Sequence, residues 1–181
     1  FYNISLQLDN NNIPYVVTNS SVCFVKKFNG VAWEEVGITG FTQTGSSLVF
    51  DNFNVPHMYV GGIIKKFTGT NWVDISTIQI TPYLVIGNGK NLFFNSSNDL
   101  YASFVGTFYT DTPKTFVKKL VNTTWQSIVS NGNMNDKYYS VSNDNVYHLS
   151  FGSDYYPDVN KMVNGQFTLL GDQTFSSWLS T

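Results

Sequence analysis

VKKFNGVAW, residues 25–33, returns as IKKFTGTNW at 64–72, as VKKLVNTTW at 117–125 and, eroded, as NKMVNGQF at 160–167. In every copy a lysine (Lys27, Lys66, Lys119, Lys161) stands six residues before an aromatic (Trp33, Trp72, Trp125, Phe167). Successive aromatics are 39, 53 and 42 residues apart. A recurrence of roughly 45 residues marks one supersecondary unit used several times.

Upstream of each lysine lies a second shared element. SLQLDNNNIPYVV starts at Ser5, SLVFDNFNVPHMYV at Ser47, NLFFNSSNDLYASF at Asn91 and KYYSVSNDNVYHLSF at Lys137. Each is an alternating apolar run, an Asn/Asp/Ser-rich turn and an aromatic-led run, which is the pattern of a β-hairpin. The lysine segment supplies a third strand. A turn such as Asn29-Gly30 or Asn164-Gly165 leads to a fourth, which carries the aromatic. Four short strands make one small antiparallel sheet, and such sheets cover both faces only by stacking on one another. The expected fold is therefore all-β, a β-propeller of about four blades. The chain reads as one domain, 1–181, with repeats at 1–40, 41–80, 81–133 and 134–173.

Composition agrees with this. The chain has two Ala, two Glu and no Arg, a poor supply of helix formers, against 15 Phe and 11 Tyr. Twenty-one Asn and 14 Gly suit many tight turns. The net charge is −2 and no basic stripe exists, which argues against nucleic acid as a partner. No run of 18 apolar residues is present, so no helical membrane span is expected. A chain that begins at Phe1 is expected to be a mature, processed or excised product, and its polar, charge-poor β surface points to the cell exterior.

The repeats break in two places. The third is longest, and its extra residues fall at Val105–Lys114, between its second and third strands. Loops of this kind carry function, which makes Tyr109, Asp111 and Lys114 the candidate ligand-binding side chains. The tail, 174–181, reads as a surplus strand: a sign of a longer propeller, a frayed end, or an edge that pairs with another chain.

Other chemistry-bearing residues have structural readings. Trp33, Trp72, Trp125 and Phe167 hold one place in a buried repeat, so packing between blades is favoured over stacking on sugar rings. Adjacent lysines point to opposite faces of a strand, so only one of each pair 26–27, 65–66 and 118–119 could join a basic ring. Asp9, Asp51 and Asp99 sit in the first hairpin turns, where calcium is conceivable but Asx turns account for them; no cofactor or metal is expected. His57 takes the place of Tyr15, and neither His57 nor His148 lies in a metal motif. Glu34 and Glu35 point to opposite faces and do not form a glycosidase pair. Cys23, the one cysteine, reads as a buried small hydrophobe. The sequons at Asn3, Asn19, Asn95 and Asn122 are as many as this composition produces by chance.

The pattern formed by Ser5-Leu6, Asp9, Asn12, Pro14-Tyr15-Val16, Val25 to Gly30, Trp33 and Val36-Gly37 resembles the repeats of secreted or surface bacterial β-propellers related to kelch and galactose-oxidase-type propellers. The second repeat matches through Asp51, Pro56, Lys65 to Gly69 and Trp72. The resemblance implies a binding or adhesion role on the cell surface or in secretion, directed at a glycan or a surface protein, and implies no catalytic residue. Two alternatives stay open. One is a structural subunit of an extracellular fibre or coat, self-associating through its terminal strand. The other is a carbohydrate-active enzyme using aspartates.

Overall fold

A computed structural model of the chain describes residues 3–19, 22–42, 45–78, 85–86, 91–107, 114–132, 138–142, 145–151, 157–163 and 166–170. Every regular element among them is a strand. Four antiparallel sheets follow one another along the chain, each in simple up-and-down order. The first holds β1 (Asn3–Leu8), β2 (Pro14–Asn19), β3 (Cys23–Phe28) and β4 (Trp33–Glu35). In the second are β5 (Gly45–Phe50), β6 (Pro56–Val60), β7 (Ile63–Phe67) and β8 (Trp72–Thr77). A two-residue strand, β9 (Val85–Ile86), precedes β10 (Asn91–Phe94), β11 (Leu100–Thr107), β12 (Lys114–Val121) and β13 (Thr124–Gly132). The fourth comprises β14 (Tyr138–Ser142), β15 (Asn145–Phe151), β16 (Pro157–Val163) and β17 (Gln166–Leu169).

The tail at 174–181 lies outside the described residues, as do Tyr109 and Asp111. The fifth strand of the third sheet is β9, which pairs with Gly106 and Thr107 at the far end of β11.

The protein is therefore all-β and built of four blade-like sheets. Their first strands lie against one another in series, β1 on β5, β5 on β10 and β10 on β14. Among the described residues no comparable contact joins β14 back to β1.

Register shows which face each sheet turns toward its neighbours. Leu6 opposes Val16, Val16 opposes Lys26 and Lys26 opposes Glu35, so these four share one face. Gln7, Tyr15, Lys27 and Glu34 share the other. The first set and its equivalents form a proximal face, turned toward the preceding sheet; the second set forms a distal face, turned toward the next. Between the first two sheets, distal Val17, Val25 and Val36 meet proximal Leu48, Met58 and Trp72. Between the second and third, distal Tyr59 and Ile64 meet proximal Leu92, Ala102, Phe104 and Phe116. The third and fourth meet through Tyr101, Val117 and Val146, with Met162 beside them. Each fully buried Met, Ile or Val here stabilises by about 1.5–3 kcal/mol.

The first hairpin turn of each of the first three sheets is an Asn/Asp device. Asp9 Oδ1 accepts the amides of Asn11 and Ile13, both at 2.8 Å. Asp51 Oδ1 does the same for Phe53 and Val55, at 3.0 and 2.8 Å. In the third sheet Asn95, not Asp99, holds this place, and its Oδ1 accepts the Asp99 amide at 2.7 Å. Asn12, Asn54 and Asn98 then adopt φ of 62°, 63° and 65°, a left-handed conformation that Asn tolerates.

These turns also join neighbouring sheets. The Asn10 amide donates to Asn54 Oδ1 at 2.8 Å, and Asn54 Nδ2 donates to Asp9 Oδ2 at 3.0 Å. One sheet further on, the Asn52 amide donates to Asn98 Oδ1 at 2.7 Å. The alternating Asn/Asp text thus encodes a hydrogen-bonded ladder as well as turns.

Candidate functional site

The lysine and aromatic that define the repeat lie on different faces. Lys66 opposes His57, and Lys119 opposes Tyr101. Lys161 opposes Tyr147 and Lys27 opposes Tyr15. The distal lysine thus stands beside the aromatic that opens the second strand. Lys119 Nζ lies 5.6 Å from the Tyr101 ring centre, and Lys161 Nζ lies 6.0 Å from that of Tyr147. Stems packed over rings hold the ammonium groups near the turn end of the sheet.

At the second and third sheets this arrangement opens a cleft of about 220 Å³. Asp51, His57, Lys66 and Ile75 line it from one side; Phe94, Asn98, Asp99, Leu120 and Asn122 line it from the other. His57 is buried, its Nδ1 lies 3.0 Å from the Val55 carbonyl, and its ring meets Phe94 edge-on at 4.9 Å. Burial pushes its pKa down, with Lys66 adding to the effect and the Val55 carbonyl and Asp51 opposing it. His57 is therefore a neutral imidazole at neutral pH.

Across the cleft, Lys119 Nζ donates to Asp99 Oδ2 at 2.5 Å. That bond holds the Asp99 carboxyl below the usual carboxylate range and raises the Lys119 ammonium. Lys66 makes no ion pair among the described residues. The result is a cleft whose apolar surface is joined by one imidazole, one ammonium without an ion pair among the described residues, two carboxylates and two carboxamides. Such a lining matches hydroxyl groups in both donor and acceptor sense.

A second opening of about 360 Å³ lies farther out along the same boundary, lined by Ser76, Thr77, Lys118, Thr123, Thr124 and Trp125. Burial lowers the pKa of Lys118 here.

No protein-family model matches this chain, and no curated protein matches it.

The repeated aromatics occupy different environments. Trp72 is buried, lies 5.3 Å from Phe67 and donates its indole N–H to the Val36 carbonyl at 2.7 Å. Trp125 packs against the second core cluster, but its indole nitrogen is buried with no hydrogen-bond partner among the described residues. A β-bulge between Ile64 and Lys65 leaves Ile75, the counterpart of Val36, outside the paired register. Trp33 differs from the expectation of packing between blades: it is 44% exposed and touches Phe28 of its own sheet at 5.5 Å. Phe167 stands opposite Met162 on β17.

Lys114 opens β12 opposite Gly106. It stands at the other end of the third sheet from Leu100 and Leu120, which line the cleft. Sequence reasoning placed Lys66 among the structural residues and gave His57 an aromatic slot; their convergence with Phe94 and Asp99 depends on how two sheets stack. Among the described residues no three His, Cys, Asp or Glu side chains gather as a metal would require. Glu34 accepts from Asn29 at 2.5 Å and Glu35 from Thr39 at 2.9 Å, each within its own sheet. Cys23 is a buried thiol, and His148 pairs with Tyr139 and Asn160 along β15.

Proposed function

We propose that the chain is a non-enzymatic binding module of the cell exterior that recognises a glycan in the cleft between its second and third sheets. One observation carries this reading: an open, partly apolar cleft in which Lys66, Asp99, Asn98 and Asn122 surround Phe94. Sugar hydroxyls take hydrogen bonds from carboxamides and ammonium and give them to a carboxylate, while the C–H face of the ring rests on apolar surface. The resemblance to surface β-propellers favours the same role. A surface protein is the other ligand class this reading admits, met by Tyr109, Asp111 and Lys114.

Glycan-array binding followed by calorimetry tests the proposal. The expected result is binding of at least one glycan, weakened about tenfold or more by Lys66→Ala and unchanged by Tyr109→Ala with Asp111→Ala. A tenfold loss corresponds to about 1.4 kcal/mol. Absence of binding across the array, or turnover of any glycan bound, overturns it.

A further inference from the structure

The three boundaries between sheets are built alike, and the chain carries one further half of that boundary at each end of the series. On the proximal side of the second sheet, Leu48 is 3% exposed and Trp72 9%. Their counterparts on the first sheet, Leu6 and Trp33, are 63% and 44% exposed. Leu8, the counterpart of half-buried Phe50, is also exposed. The turn ladder breaks at the same place. Asn54 and Asn98 each accept from an Asn of the preceding sheet, whereas Asn12 is exposed and makes no side-chain bond among the described residues.

The fourth sheet shows the complementary half. Tyr147, Leu149 and Val159 occupy the places of Tyr15, Val17 and Val25, which form the distal side of the first sheet. Leu170 occupies the place of Val36. The Val36 amide donates to the Val25 carbonyl at 3.0 Å, and the Leu170 amide donates to the Val159 carbonyl at 2.8 Å. The chain therefore leaves β17 as it leaves β4, and Leu170 is set as Val36 is set beneath Trp72. Yet Val36 is 4% exposed and Leu170 44%.

We infer that the proximal face of the first sheet docks on the distal face of the fourth sheet of a second copy of this chain. The occupant follows from continuity with the three boundaries already present. The face that fits Leu6, Leu8 and Trp33 is a distal face of this repeat, and among the described residues the one with no sheet stacked after it belongs to the fourth sheet. Among the described residues no contact comparable to those of the series joins the fourth sheet back to the first. Trp33 takes the place of Trp72, with its indole N–H on the Leu170 carbonyl of the second copy. Such a contact is heterologous: each molecule offers a head and a tail, so association continues into a ring or a filament.

Sedimentation velocity on the 181-residue chain and two blocked variants tests this. Leu6→Glu with Trp33→Glu blocks the head; Leu170→Glu blocks the tail. All three residues are exposed, and circular dichroism establishes that both variants fold. Wild-type mass is expected to rise with concentration, while each variant alone remains a monomer. An equimolar mixture of the two, which retains one intact head and one intact tail, is expected to give a one-to-one dimer and nothing larger. A wild-type chain monomeric at every concentration overturns the inference. So does a blocked variant that associates as the wild type does, or a mixture that fails to dimerise.

Discussion

Trp33 and Trp72 occupy the same position in two copies of one sequence unit, yet one lies half in solvent and the other is buried. Both pack against the phenylalanine paired with them across the strand, Phe28 and Phe67. What differs is the neighbour. Trp72 has the first sheet behind it and finishes its hydrogen bonding on the Val36 carbonyl. Trp33 has no sheet before it among the described residues. A repeat thus sets which groups face a boundary, but a second sheet decides whether they are buried, and stability resides in the boundaries.

The comparison breaks most sharply under truncation. Trp72→Ala is expected to destabilise the chain by about 3–5 kcal/mol. Trp33→Ala in dilute solution is expected to stay within about 0.5 kcal/mol of the parent. Urea unfolding of the two variants reads the difference. Equal losses would mean that the first sheet is covered after all.

Glycines at the boundary give the next largest contrast. Gly37 and Gly30 both have positive φ, 70° and 97°, so any side chain strains the backbone at either site. A Cβ on Gly37 would also stand 2.6 Å from Phe67 and 2.8 Å from the Thr70 carbonyl of the second sheet, whereas one on Gly30 meets nothing within 4 Å. Gly37→Ala should therefore lose about 1–3 kcal/mol more than Gly30→Ala. Thermal unfolding of the pair measures that excess.

The turn ladder offers a smaller one. Glycine keeps the left-handed backbone of an asparagine and removes only its side chain. Asn54→Gly is expected to cost about 1 kcal/mol through its lost bonds to Asn10 and Asp9. Asn12→Gly should be neutral or slightly stabilising in the same unfolding assay.

Smallest is an effect of pH. Tyr15 in the first sheet and His57 in the second fill one slot. Because burial lowers the folded-state pKa of His57, the unfolded chain takes up its proton first as pH falls. Its stabilising contribution is present above the ordinary histidine value, near 6.5, and is lost as pH drops from there toward the lower folded value. His57→Tyr, which gives the second sheet the residue of the first, is expected to flatten stability between roughly pH 7 and 5. Unfolding midpoints across that range test it; an unchanged slope would show that His57 is not the group responsible.

Much of the fold could be read from the sequence because it is local. Hairpin turns are written in DNNN and DNFN, the alternation of the lysine pairs sets the faces, and the constant offset from lysine to aromatic follows from one β-turn between two paired strands. What escaped the sequence depends on juxtaposition. Asp99 reads like Asp9 and Asp51, yet the shift of capping to Asn95 frees it to pair with Lys119. Nothing in WVDIS announces that Ile75 is bulged out of register. The candidate cleft was hidden for the same reason: His57 and Lys66 come from one sheet, Phe94 and Asp99 from the next, with no linear motif to join them. Length drew attention to Val105–Lys114, whose described ends, Gly106 and Lys114, pair at the end of the third sheet away from the cleft.

The central claim is that the sheets stack in series and leave the first one uncovered on its proximal side. Acrylamide quenching of single-tryptophan variants in dilute solution tests it most directly, with the other three tryptophans replaced by phenylalanine. The account predicts ready quenching of Trp33 and strong protection of Trp72. Equal protection of both in a monomer would contradict it, because a sheet of the same chain would then already cover the face.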